Sequence, residues 1–280
     1  RIVCENDKIR TIPKQRKEIM WFAIFSILFY LISVLMIAPL LTSVENTQHS
    51  PKKTPLFFTS LFAIALHGIT LFPSLKELAE EHTFTLIQIS SLMSVSISAL
   101  AVFAILSVNS IWFVLPIVFA FSIFNLILAT FIPSHFIQLL NQDSAMLFHI
   151  GLSIFTYAVC FIAMLYAIQL NWIDRSLKAK KTNFSPIIPS LMTVERHFAR
   201  VFAFGELLLT LTLISGIYHS INALTAENIH KALFSFFAWI VFGIALFGHW
   251  KKGWHGKRMI IYAISGIILL TIAYFGSRLI

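Results

Sequence analysis

Eight long apolar runs, each close to the length a bilayer demands of a helix, constrain this chain more than any other feature. A hydrocarbon core takes about 20 predominantly apolar residues per helical crossing. The runs lie at Met20 to Leu41, Pro55 to Phe72, Leu86 to Val108, Ile111 to Phe131, Ala145 to Leu170, Arg200 to Ile221, His230 to Trp250 and Met259 to Phe275. A membrane β-barrel would show strands of alternating polarity, and none is visible. The expected fold class is therefore all-α, a polytopic membrane helical bundle with about eight transmembrane helices. Charge supports this: charged residues make up 12% of the chain, about half the share in a soluble domain.

Lysine and arginine placement sets the expected orientation, because cytoplasmic loops hold the excess of both. With the amino end of the first helix outside, the inner side holds Lys52, Lys53, Arg175, Lys178, Lys180, Lys181, Arg196, Arg200, Lys251, Lys252, Lys257 and Arg258. The outer side then holds only Lys76, Lys231 and Arg278. Both termini are expected outside. The segment 1–19 runs against this, since Arg1, Lys8, Arg10, Lys14, Arg16 and Lys17 would also lie outside. The expectation is that Met20 begins the native protein and that residues 1–19 are a basic extension read from upstream; a basic arm on anionic lipid is the alternative. Residues 20–280 form one transmembrane domain. Cys4 and Cys160 offer no disulfide framework, and there is no Cys-x-x-Cys-His for covalent haem attachment. No phosphate-binding glycine loop is present, and no nucleic-acid partner is expected.

Three histidines, His67, His149 and His249, lie inside or at the rim of the apolar runs. An imidazole there is costly without a partner and marks a functional site by default. On the fifth run His149, Ser153, Thr156, Tyr157, Cys160 and Met164 recur at spacings of three and four, which makes one stripe. Ser60, Ala63, His67 and Thr70 repeat the pattern on the second run, and Gly205, Leu209, Thr212, Gly216 and His219 on the sixth. Stripes of small and polar residues face neighbouring helices. At 1.5 Å per residue, His67 and His149 fall at matched depth, roughly 9 Å below the outer ends. Those two suit one iron held from both sides, whereas His249 lies near the inner rim. A lone intramembrane histidine often does no more than hydrogen-bond a serine or a carbonyl; two at matched depth favour the ligand reading. His49, His82, His135, His197 and His255 read as solvated loop residues, and His219 and His230 as residues at a water boundary.

The run HIGLSIFTYAVCFIAMLYAIQLNWIDRSLK from His149 resembles the cytochrome c assembly (CcsA-type) haem-handling membrane proteins, in particular their YpjD-like, HemX-related branch. So does the ending HWKKGWHGKRMIIYAISGIILLTIAYFGSR from His249. LPIVFAFSIFNLILATFIP from Leu115 and LMTVERHFARV from Leu191 add to the match, which covers roughly Met20 to Ile280. The resemblance implies haem b held non-covalently during cytochrome maturation. It makes His149 the external haem-ligand histidine, and His67 and His249 the early and late intramembrane ones. It pairs His67 with His249, while the depths pair His67 with His149; both pairings stay open. One departure bears on activity. Full haem-transfer members carry a tryptophan-rich motif and a second external histidine before the seventh helix, where this chain has SINALTAENIHKALFSFFAW. The implied role is an accessory of cytochrome c biogenesis in the bacterial inner membrane, not a synthetase. Its partners are haem, the lipid bilayer, and other cytochrome assembly proteins or an apocytochrome on the outer side.

No nucleophile with a base, paired carboxylates or metal-ligand cysteine set is visible, so no enzyme is expected. Glu206, inside the sixth run, is costly in lipid and is expected to snorkel, to pair with Arg200 or to carry a proton. Asn125 is expected to bond a neighbouring helix. Trp112, Trp172, Trp250 and Trp254 are expected in the interfacial aromatic belt. A proton-coupled transporter using Glu206 and a histidine is the alternative function. A two-haem electron-transfer cytochrome would need a second histidine layer that the sequence lacks.

Overall fold

The computed structural model describes residues 3–42, 53–81, 83–131, 137–139, 144–179, 189–220 and 226–275. Among the described residues run eight α-helices: α1 (Val3–Thr42), α2 (Lys53–Glu81), α3 (Leu86–Ala104), α4 (Val114–Phe131), α5 (Ser144–Lys178), α6 (Leu191–Ser220), α7 (Ala226–Lys252) and α8 (Lys257–Phe275). Each contains a stretch long and apolar enough to cross a membrane. A 3-10 helix, Asn109–Phe113, leads into α4. One short antiparallel ribbon, β1 (Thr83–Thr85) with β2 (Ile137–Leu139), adds to the helical class, with Phe84 opposite Gln138.

The chain forms two compact units. The first contains α1 to α4 and the ribbon. Its lipid-facing sides carry large apolar residues such as Leu35, Phe58 and Phe124, each more than half exposed, while the inward sides are rich in small hydroxyls. Ser26, Ser33, Ser60, Ser91, Ser94, Ser98 and Ser122 are all fully buried. Helices in lipid gain nothing from burying leucine against leucine, so close approach over small residues and interhelical hydrogen bonds hold them. Ser26 of α1 donates to the Ala63 carbonyl of α2 at 2.8 Å, and the Ser98 and Ser122 hydroxyls of α3 and α4 meet at 2.6 Å.

The second unit contains the 3-10 helix and α5 to α8. Here α5 packs on α6 and α8, and α7 packs on the same two, so the four helices close a ring. The tightest approach is at Gly266 of α8. A Cβ there would stand 1.9 Å from Phe242 Cε1, so the α7 phenyl ring fills the space the glycine leaves.

Helix ends depart from the hydropathy boundaries for local reasons. The α5 helix runs on to Lys178, whose ammonium pairs with Asp174 one turn earlier at 2.6 Å. The α6 helix begins at Leu191, because the Ser190 carbonyl accepts from Thr193 and Val194 and its hydroxyl from the Thr193 N–H, a serine N-cap. Asn171 to Lys178 and Leu191 to Glu195 are accordingly helical. The α2 helix continues past Phe72 through Pro73, which costs one backbone donor without ending the helix. In α3 the helix stops at Ala104, where Ile105 and Leu106 turn back to Val102 and Phe103. The α1 helix is unbroken from Val3, so the basic segment ahead of Met20 continues the first spanning helix.

Candidate functional site

His67 occupies the buried face of α2 with Ser60, Ala63 and Thr70, as the stripe implies, and its side chain is fully buried. Both ring nitrogens are engaged. Nε2 is 2.9 Å from the Ser91 hydroxyl of α3, and Nδ1 is 3.4 Å from the Tyr30 hydroxyl of α1. Tyr30 also meets the imidazole edge-on and adjoins Ser98 and Ser122. Ser122 donates to the Ser94 carbonyl at 3.2 Å. Asn125 accepts from Ser90 and donates to the Phe121 carbonyl, so it does bond a neighbouring helix. His67 is thus the centre of a polar seam that joins all four helices of the first unit. A groove of about 500 Å³ between α1 and α2 passes Ala65, Gly68 and Phe72, but His67 is not in its wall.

His149 stands near the start of α5 on the expected stripe, and most of the stripe has partners. Thr156 meets Thr212 of α6 at 2.8 Å, Tyr157 meets Thr271 of α8 at 3.1 Å, and Cys160 lies against Gly205. The ring of His149 packs on Gly216, where a Cβ would stand 3.0 Å from Cε1. Its Nδ1 is 2.8 Å from the Ser215 hydroxyl. Ser215 gives its own proton to the Thr212 carbonyl at 2.9 Å, so it accepts from His149. Nδ1 therefore carries the hydrogen and Nε2 the lone pair, which is the form of imidazole that ligates a metal.

His249 arrives at the same tautomer by another route. Its Nδ1 is 2.8 Å from the Trp254 carbonyl, which only accepts, so Nε2 again carries the lone pair. The carbonyl is brought back by a tight turn: Gly253 and Gly256 have φ of +62° and +58°, and the Trp254 N–H donates to the Gly248 carbonyl at 3.0 Å. His255 was read as a solvated loop residue. It is exposed, yet its Nδ1 lies 2.9 Å from Glu195 and its ring centroid 5.1 Å from that of His249. No sequence spacing could have announced that contact, because Glu195 is 60 residues away on α6.

Within the second unit, His149 and His249 are not brought together. The α6 and α7 helices run antiparallel, with Trp239 donating to Thr210 at 2.9 Å. His249 lies ten residues beyond Trp239, and His149 is level with Ser215, five beyond Thr210 in the other direction. At 1.5 Å per residue the two are roughly 20 Å apart along the helices.

Glu206 turns toward α7, its Oε1 3.4 Å from where a Gly243 Cβ would stand; no ion pair joins it to Arg200. Its Oε2 is buried without a hydrogen-bond partner. Trp172 and Trp250 face outward as belt residues, but Trp112 is 3% exposed and belongs to the interior. Residues His49, His82 and His135, and the side chain of His219, lie outside the described residues.

Residues 54–280 match the cytochrome C assembly protein family. The chain is 38% identical over 260 residues to the inner membrane protein YpjD of Escherichia coli, which covers 92% of this chain and 97% of that protein. It is 35% identical over 79 residues to the cytochrome c biogenesis protein CcsA of Prochlorococcus marinus, covering 28% of this chain and 25% of that one. No solved structure matches it. With a family match spanning most of its length and a relative aligned over 92% of it, this membrane protein belongs to the cytochrome c assembly protein family.

Proposed function

We propose that the chain binds haem b non-covalently through histidine imidazoles, and holds or hands it on as an accessory of cytochrome c biogenesis. The observation that carries this reading is the hydrogen-bonded tautomer of His149. Ser215, whose own proton goes to the Thr212 carbonyl, takes up its Nδ1–H, so the nitrogen with the lone pair is Nε2, and an oriented imidazole of that kind is what an axial iron ligand requires. His249 meets the same condition through the Trp254 carbonyl. Roughly 20 Å apart, these two serve as ligands at separate positions and not as the two sides of one porphyrin. His67 is the third ligand in this reading, and to serve it must first give up Ser91. Bound haem would supply redox-active iron; the chain's own residues supply ligation, orientation and an apolar surround.

The accessory role rests on the segment before α7, which lacks the tryptophan-rich motif of full haem-transfer members. Orientation in the inner membrane follows the lysine and arginine bias, with both termini outside. Haem, the bilayer, and an apocytochrome or another assembly protein on the outer side are the partners of this reading.

The test is an absorption spectrum of the detergent-purified protein, oxidised and reduced, before and after addition of haemin. A reduced Soret band with split visible bands, lost in a histidine-to-alanine variant, is the expected result. A colourless protein that takes up no haemin overturns it. One observation favours a second reading, a proton-coupled transporter: the Glu206 carboxyl is buried with an unpartnered oxygen. A colourless protein whose vesicles take up protons, and lose that uptake in Glu206→Gln, would establish it.

A further inference from the structure

The turn between α7 and α8 closes over a groove that the histidine chemistry does not use. Gly243, Ile244, Phe247 and Gly248 line one face of α7, and Lys252 and Trp254 stand at its mouth. The groove encloses about 290 Å³. From Gly243 to Lys252 it runs nine residues, roughly 13 Å along the helix. Gly243 leaves the wall open at the deep end, where Glu206 approaches.

The mouth is built and held. Trp254 lies flat on Gly248, with ring atoms where a Cβ would fall, 2.1 to 2.6 Å from it. The same indole stacks on Tyr262 at 5.5 Å with the planes 11° apart. Two cations meet its ring, Lys252 Nζ at 5.9 Å and Arg258 Cζ at 5.7 Å from the centroid. Lys252 and Arg258 are both exposed, at the end of one spanning helix and the start of the next.

We propose that this groove binds one anionic phospholipid, with its phosphate between Lys252 and Arg258 and an acyl chain along Gly243, Ile244, Phe247 and Gly248. Charge decides between lipids. The site offers two positive groups at headgroup level, and the Glu195 carboxylate that reaches the same turn is taken up by His255 and the Gly256 N–H; basic pockets beside transmembrane helices hold acidic headgroups by this means. A zwitterionic headgroup would set its own ammonium against Lys252 and Arg258. Trp254 supplies the amphipathic aromatic platform typical of the interface.

The test is native mass spectrometry of the full chain released from detergent containing equimolar phosphatidylglycerol and phosphatidylcholine. One phosphatidylglycerol adduct is expected, preferred on the order of tenfold over phosphatidylcholine, as two basic groups at headgroup level imply. The double variant K252Q/R258Q should lose that preference with its helix content unchanged, since both side chains are exposed. A control, K178Q, changes a basic residue away from the groove and should keep it. Filling the groove with Gly243→Leu should lower retention even with both cations present. Equal retention of the two lipids by the unaltered chain overturns the proposal. So does a preference that survives K252Q/R258Q. Because the readout is lipid mass, it stands or falls independently of haem.

Discussion

His67 and His149 were alike in the sequence, each on a stripe of small and polar residues at matched depth, yet the two units treat them differently. In the first unit the imidazole is fully buried and both nitrogens are held by hydroxyls, Tyr30 on one side and Ser91 on the other. In the second, the ring of His149 is half-buried, and Ser215 fixes which nitrogen carries the hydrogen. The lesson is that matched stripes and matched depths do not fix a histidine's surroundings: His67 is enclosed by hydroxyls from two neighbouring helices, whereas the Nδ1 hydrogen of His149 is placed by a serine that itself donates onward.

The largest expected effect that bears on this contrast is in haemin affinity. His149→Ala should lower it by more than about 100-fold, beyond the range for losing an outer partner, and by more than His67→Ala does. Equal losses in the two variants, read by haemin titration, would break the contrast. Ser215→Ala leaves the ligand in place but frees its orientation, and roughly a tenfold loss is expected. An unchanged titration would mean that Ser215 plays no part in positioning. Ser91→Ala sharpens the contrast from the other side. It should cost about 1 kcal/mol of stability in a denaturant titration, the net worth of one interhelical hydrogen bond, while raising haemin uptake because His67 Nε2 is released. The smallest effect belongs to Tyr30→Phe. Its bond to His67 is long, and a stability loss under about 0.6 kcal/mol is expected from the membrane average.

Much of this was legible in the sequence, because bilayer thickness and helical spacing act on single segments. The spans, the second, fifth and sixth helix stripes, and the interhelical role of Asn125 need only residue identities and a period of 3.6. What escaped depends on pairs that no period connects. Ser91 as the partner of His67, Glu195 as the partner of His255, and Phe242 over Gly266 are facts about neighbouring helices. Trp112 illustrates the limit of a span-end rule. Its position matches the aromatic belt, but the 3-10 helix that carries it turns it inward. Hydropathy also misjudged where helices end, since Ser190 and the Asp174–Lys178 pair extend them with polar residues that an apolar window discards. The ribbon of β1 and β2 was invisible for the same reason, being two three-residue segments that only their pairing defines.

The hydroxyl seam of the first unit bears on biogenesis. Ser33, Ser60 and Ser94 each donate to a carbonyl three or four residues back in their own helix, at 2.9, 2.6 and 2.8 Å. A helix carrying only such residues enters the bilayer with its side-chain polarity already satisfied. His67 has no such recourse, because its partners stand on α1 and α3. The second helix therefore pays for its imidazole until both neighbours arrive, which ties the lateral release of α2 from the insertion machinery to the presence of α1 and the emergence of α3.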